Sequence, residues 1–203
     1  MKNLIKKSVG PDVYSGRYRL RGFTLVELVV TIAIAAILMM FAAPSFVNFR
    51  RNSELTSTTN TLTASLNAAR SEAMKYGTFA MVVPQNNTDG WKSGWRVFVD
   101  KNLNQEFDSG DTLVLEQGVL ADFLSITGNG SAAESLPYVM YNGSGYSRTK
   151  NGAFGALTFT IQRNDVPSEE ADVLARRLIV SRTGRVRFCR PKQDTTCGVT
   201  ATD

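Results

Sequence analysis

Three groups of residues in this sequence have types and spacings that suit chemistry. Glu27 is the only charged residue in the apolar stretch 23–43. Seven basic residues and no acid occupy 174–192, and Cys189 and Cys197 lie eight positions apart at its end. These groups suggest charge pairing in an apolar medium, contact with phosphate, and a disulfide in an exported domain.

No part of the sequence predicts catalysis. The chain has no histidine, so it lacks the usual general base and the commonest metal ligand. Two cysteines without histidine make a poor zinc site. We therefore expect a protein that is not an enzyme, with no catalytic or metal-binding residue and no cofactor. A signalling enzyme with a single membrane anchor is the least favoured alternative.

The acidic turn DKNLNQEFDSGD, at residues 100–111, imitates a calcium-binding loop. Gln105 replaces the glycine that such a loop needs for its sharp turn, and Asp111 stands where a bidentate glutamate belongs. The alternative, which we favour, is a hairpin whose Asp and Asn side chains bond to their own backbone. The residues with side-chain oxygens are Asp100, Asn102, Asn104, Asp108 and Asp111.

The net charge of +5 comes from the N-terminus. Residues 1–22 hold six basic residues and one acid, whereas residues 23–203 hold 17 of each and are neutral in sum. The net charge of the whole chain therefore does not indicate a surface for nucleic acid, and only a local cluster of basic residues could form one.

The apolar stretch 23–43 is long enough to cross a membrane as a helix, since its 21 residues at ~1.5 Å each reach ~30 Å. Its basic flank keeps residues 1–22 cytoplasmic, so the rest of the chain faces the other compartment. Inserting a carboxylate into the membrane within such a helix costs ~2.5–3.5 kcal/mol. An ordinary membrane anchor gives no reason for the chain to carry this cost. Cleavage between Gly22 and Phe23 would create an α-amine able to neutralise Glu27, on its own helix or on a neighbouring one. The pattern therefore favours helices that assemble side by side.

The sequence GFTLVELVVTIAIAAILMMFAAP resembles the class III signal of type IV pilins and type II secretion pseudopilins. The resemblance implies that a prepilin peptidase cleaves after Gly22 and N-methylates Phe23. It also implies that Glu27 engages the N-terminus of an adjacent subunit during assembly and that Pro44 kinks the helix. The expected partners are the peptidase, other major and minor pilins, the inner-membrane assembly platform and the membrane itself.

A long helix is predicted to connect this signal segment to a head domain. Apolar residues recur at helical spacing beyond Pro44 and predict an amphipathic helix that ends at Gly77. Threonine and asparagine are frequent between 56 and 63, which predicts a bend or a soft turn there. The apolar stripe comprises Phe46, Phe49, Leu55, Leu62, Leu66, Ala69 and Ala73.

Short β-like runs follow Gly77 and predict an antiparallel sheet packed against that one helix. The glycine-rich stretch 142–152 and the acidic stretch 164–172 are predicted to be exposed loops. The predicted strands cover 78–83, 95–100, 112–117, 138–142, 157–161, 176–181 and 185–189.

The motifs LNAARSEAMKYG, GWRVFVDKNLNQEFDSGDTLV and GRVRFC, in this order, are similar to those of the GspH/FimT/FimU family of minor pilins and pseudopilins. The resemblance implies an α+β, pilin-like fold with a long N-terminal helix packed on an antiparallel β-sheet head. It divides the chain into a prepilin leader (1–22), a transmembrane and assembly helix (23–50) and a periplasmic head (51–203). It implies a single-pass inner-membrane protein that enters the fibre, at or near the tip.

The last predicted strand carries arginines. Strand alternation directs Val186 and Phe188 toward the core. Arg185 and Arg187 then share the outer face, ~6.6 Å apart, in a geometry that suits phosphate oxygens. The candidate DNA contacts are Arg182, Arg185, Arg187 and Arg190.

The motif GRVR in this strand resembles the Gly-Arg-x-Arg motif of FimT-type minor pilins, which capture DNA in naturally competent bacteria. The resemblance implies contact with the backbone of extracellular double-stranded DNA, without sequence preference. The alternative is that the arginines keep an exposed edge strand soluble and unpaired.

These observations predict a minor pilin of a type IV pilus that primes or caps fibre assembly and binds DNA for uptake. A minor pseudopilin of the H type, in a type II secretion system, is the alternative with the same fold. A DNA receptor whose role in the fibre is secondary is a further alternative, and the arginine strand distinguishes it.

Overall fold

The computed structural model describes residues 22–198, without the side chains of residues 41–44. The predicted leader up to residue 21 and the side chain of Pro44 lie outside the described residues, so the predicted kink stays a prediction. The chain divides into two units between Ser45 and Phe46.

The described part of the first unit is helical from Leu25, where helix α1 (Leu25–Tyr76) begins. Thr24 lies just before α1, and its Oγ1 accepts a hydrogen bond from the Glu27 backbone nitrogen at 3.2 Å. This bond satisfies one of the amides that a helix N-terminus leaves free. Large apolar side chains between residues 25 and 40 are exposed around the whole helix, as in helices that meet lipid or other helices.

The length and apolar composition of α1 bear on the membrane-spanning prediction. Among the described residues, no single helix is long and apolar enough to cross a membrane alone. The stretches Leu25–Met40 and Ser45–Tyr76 pass that test when they are taken together.

The second unit begins with the rest of α1, which is helical without interruption to Tyr76. The bend predicted at 56–63 is therefore wrong. Threonine hydroxyls in this stretch donate to the carbonyl four residues earlier, as Thr59 does to Leu55 at 2.7 Å, so they bond within the helix instead of interrupting it.

The buried stripe of α1 is shorter than the predicted one. Phe46 and Phe49 are exposed. The members of the stripe that are fully buried against the head are Leu55, Leu62, Leu66, Ala69 and Ala73.

The head contains two antiparallel sheets, where the sequence predicted one. The first has the strand order β3-β2-β1-β5-β6 and the second has the order β4-β7-β8-β9. Both sheets contribute apolar side chains to the core that contains the stripe of α1. The strands are β1 (Phe79–Pro84), β2 (Trp95–Asp100), β3 (Thr112–Gln117), β4 (Leu124–Gly128), β5 (Val139–Tyr141), β6 (Ser147–Arg148), β7 (Leu157–Arg163), β8 (Arg176–Val180) and β9 (Val186–Cys189).

Two strands and one α-helix of the described residues were not predicted, namely β4, β6 and the short helix α2 (Ser168–Leu174). β6 lies within 142–152 and pairs antiparallel with β5, so that stretch is not simply an exposed loop. α2 lies largely within 164–172, the other predicted loop. Pro167 is suited to a helix start, and the positive end of the helix dipole stabilises the two glutamates in the first turn.

Two tryptophans join the layers of the head. Trp95 is fully buried, and its Nε1 donates to Ser65 Oγ at 2.8 Å, which ties β2 to α1. The ring of Trp91 packs edge-on against Phe159 with centroids 4.8 Å apart, and its Nε1 donates to the Ala132 carbonyl at 2.9 Å. Each buried indole nitrogen therefore has an acceptor.

A buried arginine connects β7 to the same helix. Arg163 is 1% exposed, and its Nε and Nη2 donate to the two carboxylate oxygens of Asp165 at 2.8 and 2.7 Å. Its Nη1 donates to Asn52 at 2.9 Å, and its Nη2 also donates to Asn48 at 3.1 Å. The hydrogen bonds that Asp165 accepts from Arg163, helped by one from Arg51, lower the pKa of Asp165 to about 2. The pKa of Arg163 is raised by the same pairing.

We expect Asp165→Asn to lower the free energy of unfolding by about 3 kcal/mol at pH 7, because it leaves the Arg163 charge buried without its carboxylate. The Asp165 contribution is fully present above the ordinary aspartate pKa of about 3.9 and is lost as the pH falls toward about 2. The variant should therefore lose stability less steeply over that interval. Guanidinium chloride unfolding, followed by tryptophan fluorescence, measures both effects.

Asp122→Asn is the matched control, since the Asp122 carboxylate is 99% exposed and pairs with Lys92 only at the surface. Its effect should stay below about 1 kcal/mol. Equal losses in the two variants would contradict the structural role assigned to the buried pair.

Candidate nucleic-acid interface and assembly segment

The predicted C-terminal hairpin is present, and β9 forms the edge of its sheet. Phe188 lies opposite Leu178 of β8 but is 48% exposed, so its predicted burial is wrong. Phe188 therefore lies outside the buried core cluster that contains Leu178. Val186 is half-buried and packs against the core, as predicted. The edge position also means that protection against strand pairing stays open as a role for the arginines.

The disulfide between Cys189 and Cys197 is closed, with Cα atoms 5.8 Å apart. The loop between them folds over the outer face of the hairpin, where both cysteines pack with Ile179. Arg177 Nη1 donates to the Cys197 carbonyl at 2.7 Å, which fixes the far end of the loop to β8. The loop therefore covers part of the face on which the arginines were predicted.

Arg187 is bound by this loop. Its Nη1 donates to Thr196 Oγ1 and its Nη2 donates to the Thr196 carbonyl, both at 2.9 Å. Asp194 lies 3.9 Å from the guanidinium, and hydrogen bonds from Thr196, with Arg187 as a smaller cause, lower the pKa of that carboxyl. Arg187 is thus half-buried and partly neutralised, whereas Arg185 is exposed.

The other predicted contacts are distributed around the hairpin. Arg182 is exposed in the turn and lines a neighbouring cleft. Arg190 is exposed and donates to Gln193 Oε1 at 3.3 Å. Arg176, counted with the basic cluster in the sequence, is buried and donates to the Leu174 carbonyl, and burial lowers its pKa. The structure therefore places Arg182, Arg185 and Arg190 at the surface.

The hairpin turn docks on the rest of the head through Gly184. A Cβ atom on Gly184 would lie 1.9 Å from the Gly145 carbonyl oxygen, and the φ of Gly184 is +80°, so only glycine fits. The same Gly145 oxygen accepts a hydrogen bond from Arg70 Nε at 2.9 Å, and Arg70 Nη2 donates to the Thr183 carbonyl at 3.1 Å. The glycine of GRVR is therefore required by packing against the loop after β5.

Residues near the turn that the sequence analysis missed are Arg148, Tyr146 and Phe154. The backbone nitrogen of Ser147 donates to the Arg182 carbonyl at 3.1 Å, which brings β6 beside the hairpin turn. The signal in the sequence was the stretch 146–154, which combines aromatic and basic residues without an acid.

The acidic turn has the hairpin geometry that we favoured over a calcium loop. Asp108 Oδ1 accepts from the Gly110 nitrogen at 2.7 Å, and Asp111 accepts from the nitrogens of Lys101 and Asp108. The hydrogen bond from Gly110, followed by those from asparagine amides, lowers the pKa of Asp108. Within residues 22–198, no group of three or more His, Cys, Asp or Glu side chains is arranged to hold a metal ion.

The assembly segment has its charge at the start of a helix. Gly22 and Phe23 precede α1, and Glu27 occupies its first turn, where the helix dipole favours a carboxylate. The ion pairs of the described residues involve other carboxylates. Glu27 itself is exposed and belongs to none of these pairs.

Comparison with known proteins decides the family. The model of the family "Type II transport protein GspH" matches residues 58–184, more than half of the chain. The chain belongs to the GspH family. A second model, the prokaryotic N-terminal methylation motif, matches residues 17–43. Members of the GspH family are minor pilins and pseudopilins of type IV pili and type II secretion systems, and they are structural proteins rather than enzymes.

Individual relatives agree with the pilin-like fold. This GspH-family chain is 35% identical over 82 residues to the type IV major pilin protein PilA of Myxococcus xanthus. The match covers 39% of the chain and only 37% of PilA. The type IV minor pilin FimU of Pseudomonas aeruginosa, solved in two crystal forms, superposes with a TM-score of 0.52 in each. The identities are 19% and 17%, over 71% and 68% of this chain and 95% and 94% of FimU.

Opening the disulfide should release Arg187 and cost stability. We expect Cys189→Ser with Cys197→Ser to lower the free energy of unfolding by about 2–3 kcal/mol, because the loop between them is short. Denaturant unfolding of the double variant against the wild type measures this loss. The variant Thr196→Ala keeps the disulfide and the carbonyl contact, removes only the hydroxyl contact to Arg187, and should cost about 1 kcal/mol or less. An unchanged unfolding midpoint in the double variant would show that the loop does not stabilise the hairpin.

Proposed function

We propose that this GspH-family chain is an inner-membrane prepilin that is cleaved between Gly22 and Phe23, N-methylated by a prepilin peptidase and then built into a type IV pilus as a minor subunit. The observation that carries this proposal is the segment 22–40. Its large apolar side chains are exposed on every side of the helix, and Glu27 is the only charged residue in this segment. Such a surface needs lipid before assembly and other helices afterwards.

Glu27 sets the register of the subunit in the fibre. A carboxylate on an apolar helix is costly unless a cation meets it, and cleavage creates a cationic amine at the N-terminus of every subunit. Pairing Glu27 with the amine of a neighbour therefore favours one alignment of adjacent helices. A minor subunit with this device, at or near the tip, would prime or cap assembly together with other pilins and the inner-membrane platform.

We expect Glu27→Ala to be inserted and cleaved normally but to be depleted at least tenfold from sheared fibres, because its helix no longer neutralises a neighbour's amine. Immunoblots of membranes and of sheared fibres measure insertion, cleavage and incorporation separately. Glu54→Ala, which removes an exposed carboxylate from the head part of α1, is the matched control. Wild-type amounts of the Glu27 variant in fibres would refute the assembly role.

A second proposed activity is DNA contact through the hairpin surface. No acid occurs between residues 173 and 193, and Arg182, Arg185 and Arg190 are exposed. Guanidinium groups suit phosphate oxygens, so the contact would follow the DNA backbone without sequence preference. Exposed arginines on a fibre tip would serve the capture of DNA for uptake.

The arginines of the GRVR motif should contribute unequally to this contact. We expect Arg185→Ala to flatten the log–log dependence of duplex affinity on salt by about 0.9, the value for one lost phosphate contact. Arg187→Ala should change the slope much less, because Thr196 and Asp194 already occupy its guanidinium. Fluorescence anisotropy of the full chain in detergent micelles measures both slopes.

Arg50→Ala is the control for loss of an exposed arginine elsewhere on the head and should leave the slope unchanged. Equal slopes in wild type and Arg185→Ala would remove the hairpin from the DNA contact. The arginines would then protect the edge strand or contact another subunit.

The alternative function is that of a minor pseudopilin in a type II secretion system, which the name of the matching family favours. The two functions differ in what is lost when the chain is deleted. A pilus subunit is recovered in sheared surface fibres, and its deletion reduces their number. A pseudopilin is absent from surface fibres, and its deletion stops the export of secreted proteins.

A further inference from the structure

A cleft of about 420 Å³ lies beside the hairpin turn, a size suited to a small organic group. Phe154 and Arg182 are among the residues that line it. The remaining lining is small and polar, and includes the hydroxyl-bearing residues Ser131 and Thr149. The lining thus combines an aromatic residue, an arginine and hydroxyl-bearing residues.

The ring of Phe154 is held in place and is still 51% exposed. The Arg148 guanidinium lies 3.8 Å from its centroid, and Arg148 Nη1 also donates to the Gly152 carbonyl at 3.1 Å. Tyr146, which is 41% exposed, meets the ring edge-on with centroids 5.6 Å apart. Half-exposed aromatic rings on a fixed backbone cost little entropy when a planar ligand stacks on them.

Two of the stretches that line the cleft carry basic residues and no acid. The stretch 135–163, which supplies Phe154 and Arg148, contains no acid, and neither does the stretch 173–193, which supplies the hairpin. The β6 contact between the Ser147 nitrogen and the Arg182 carbonyl keeps these two stretches together. These two stretches themselves therefore bring no carboxylate to the cleft.

We propose that this cleft binds nucleotides of single-stranded DNA, with a base against Phe154 and the flanking phosphates against Arg182 and Arg185. Stacking platforms beside a basic surface are the means by which proteins hold single strands. A duplex keeps its bases stacked on each other and presents only phosphates and groove edges to a side chain. The cleft therefore adds a preference for single strands to the phosphate contact proposed above, on which it rests.

The test compares two DNA forms on the full chain in detergent micelles. A labelled 20-nucleotide thymidine strand and a 20-base-pair duplex are titrated at the same salt concentration. The wild type should bind the single strand more tightly. Phe154→Leu should weaken single-strand binding by roughly five- to 150-fold, as expected for one lost stacking contact, and leave duplex binding unchanged.

Phe154→Tyr keeps the ring and should retain the single-strand preference, which separates stacking from a general effect on folding. Arg185→Ala should weaken both DNA forms to the same extent. Two results would overturn the proposal that the cleft binds single strands: a wild type without single-strand preference, or a Phe154→Leu variant whose two affinities change equally or not at all. Either result would leave the proposed phosphate contact in place. Failure of the wild type to bind either form would overturn both proposals.

Discussion

The head depends on one stripe of α1 that both sheets use as a common core. Leu55, Leu62 and Leu66 have no exposed surface, and they lie in one cluster with inward residues of both sheets. A sheet with one apolar face needs a cover, and here one helix covers two sheets. The outer face of the five-stranded sheet carries a separate cluster around Phe98, against which Phe107 of the acidic turn packs. That turn is therefore a structural cover for the sheet.

The same helix also fixes the position of the hairpin that carries the exposed arginines. Arg70 of α1 binds the carbonyls of Gly145 and Thr183, so the loop after β5 and the hairpin turn are fastened to one side chain. The close approach of Gly184 to Gly145 leaves no room for a side chain between these two backbone segments. The arrangement of Arg182 and Phe154 around one cleft is thus a consequence of helix packing, although neither residue lies on the helix.

Sequence patterns predicted those parts of the fold that depend on local alternation. The strands at 95–100 and 112–117 and the end of α1 at Tyr76 agree with the structure, because each has a strong apolar period or a glycine stop. Short elements such as β6 have no period of their own and exist because β5 offers them a partner.

The same limit applies to the candidate surface. Strand alternation assigned Arg187 to the outer face, but it could not reveal that Thr196, nine residues later, would fold back and bind it. That contact depends on the closure of the Cys189–Cys197 loop. The cleft beside Phe154 likewise joins segments far apart in the chain, and no local pattern marks such a meeting.

The buried arginine at the end of β7 also has a mechanical consequence. Asn48 and Asn52 lie at the end of the head helix nearest the apolar segment, and both hydrogen-bond to Arg163. A pulling force applied to α1 from that end would meet these hydrogen bonds before it met the leucine stripe farther along the helix. The several hydrogen bonds of Arg163 would share that load between α1 and β7.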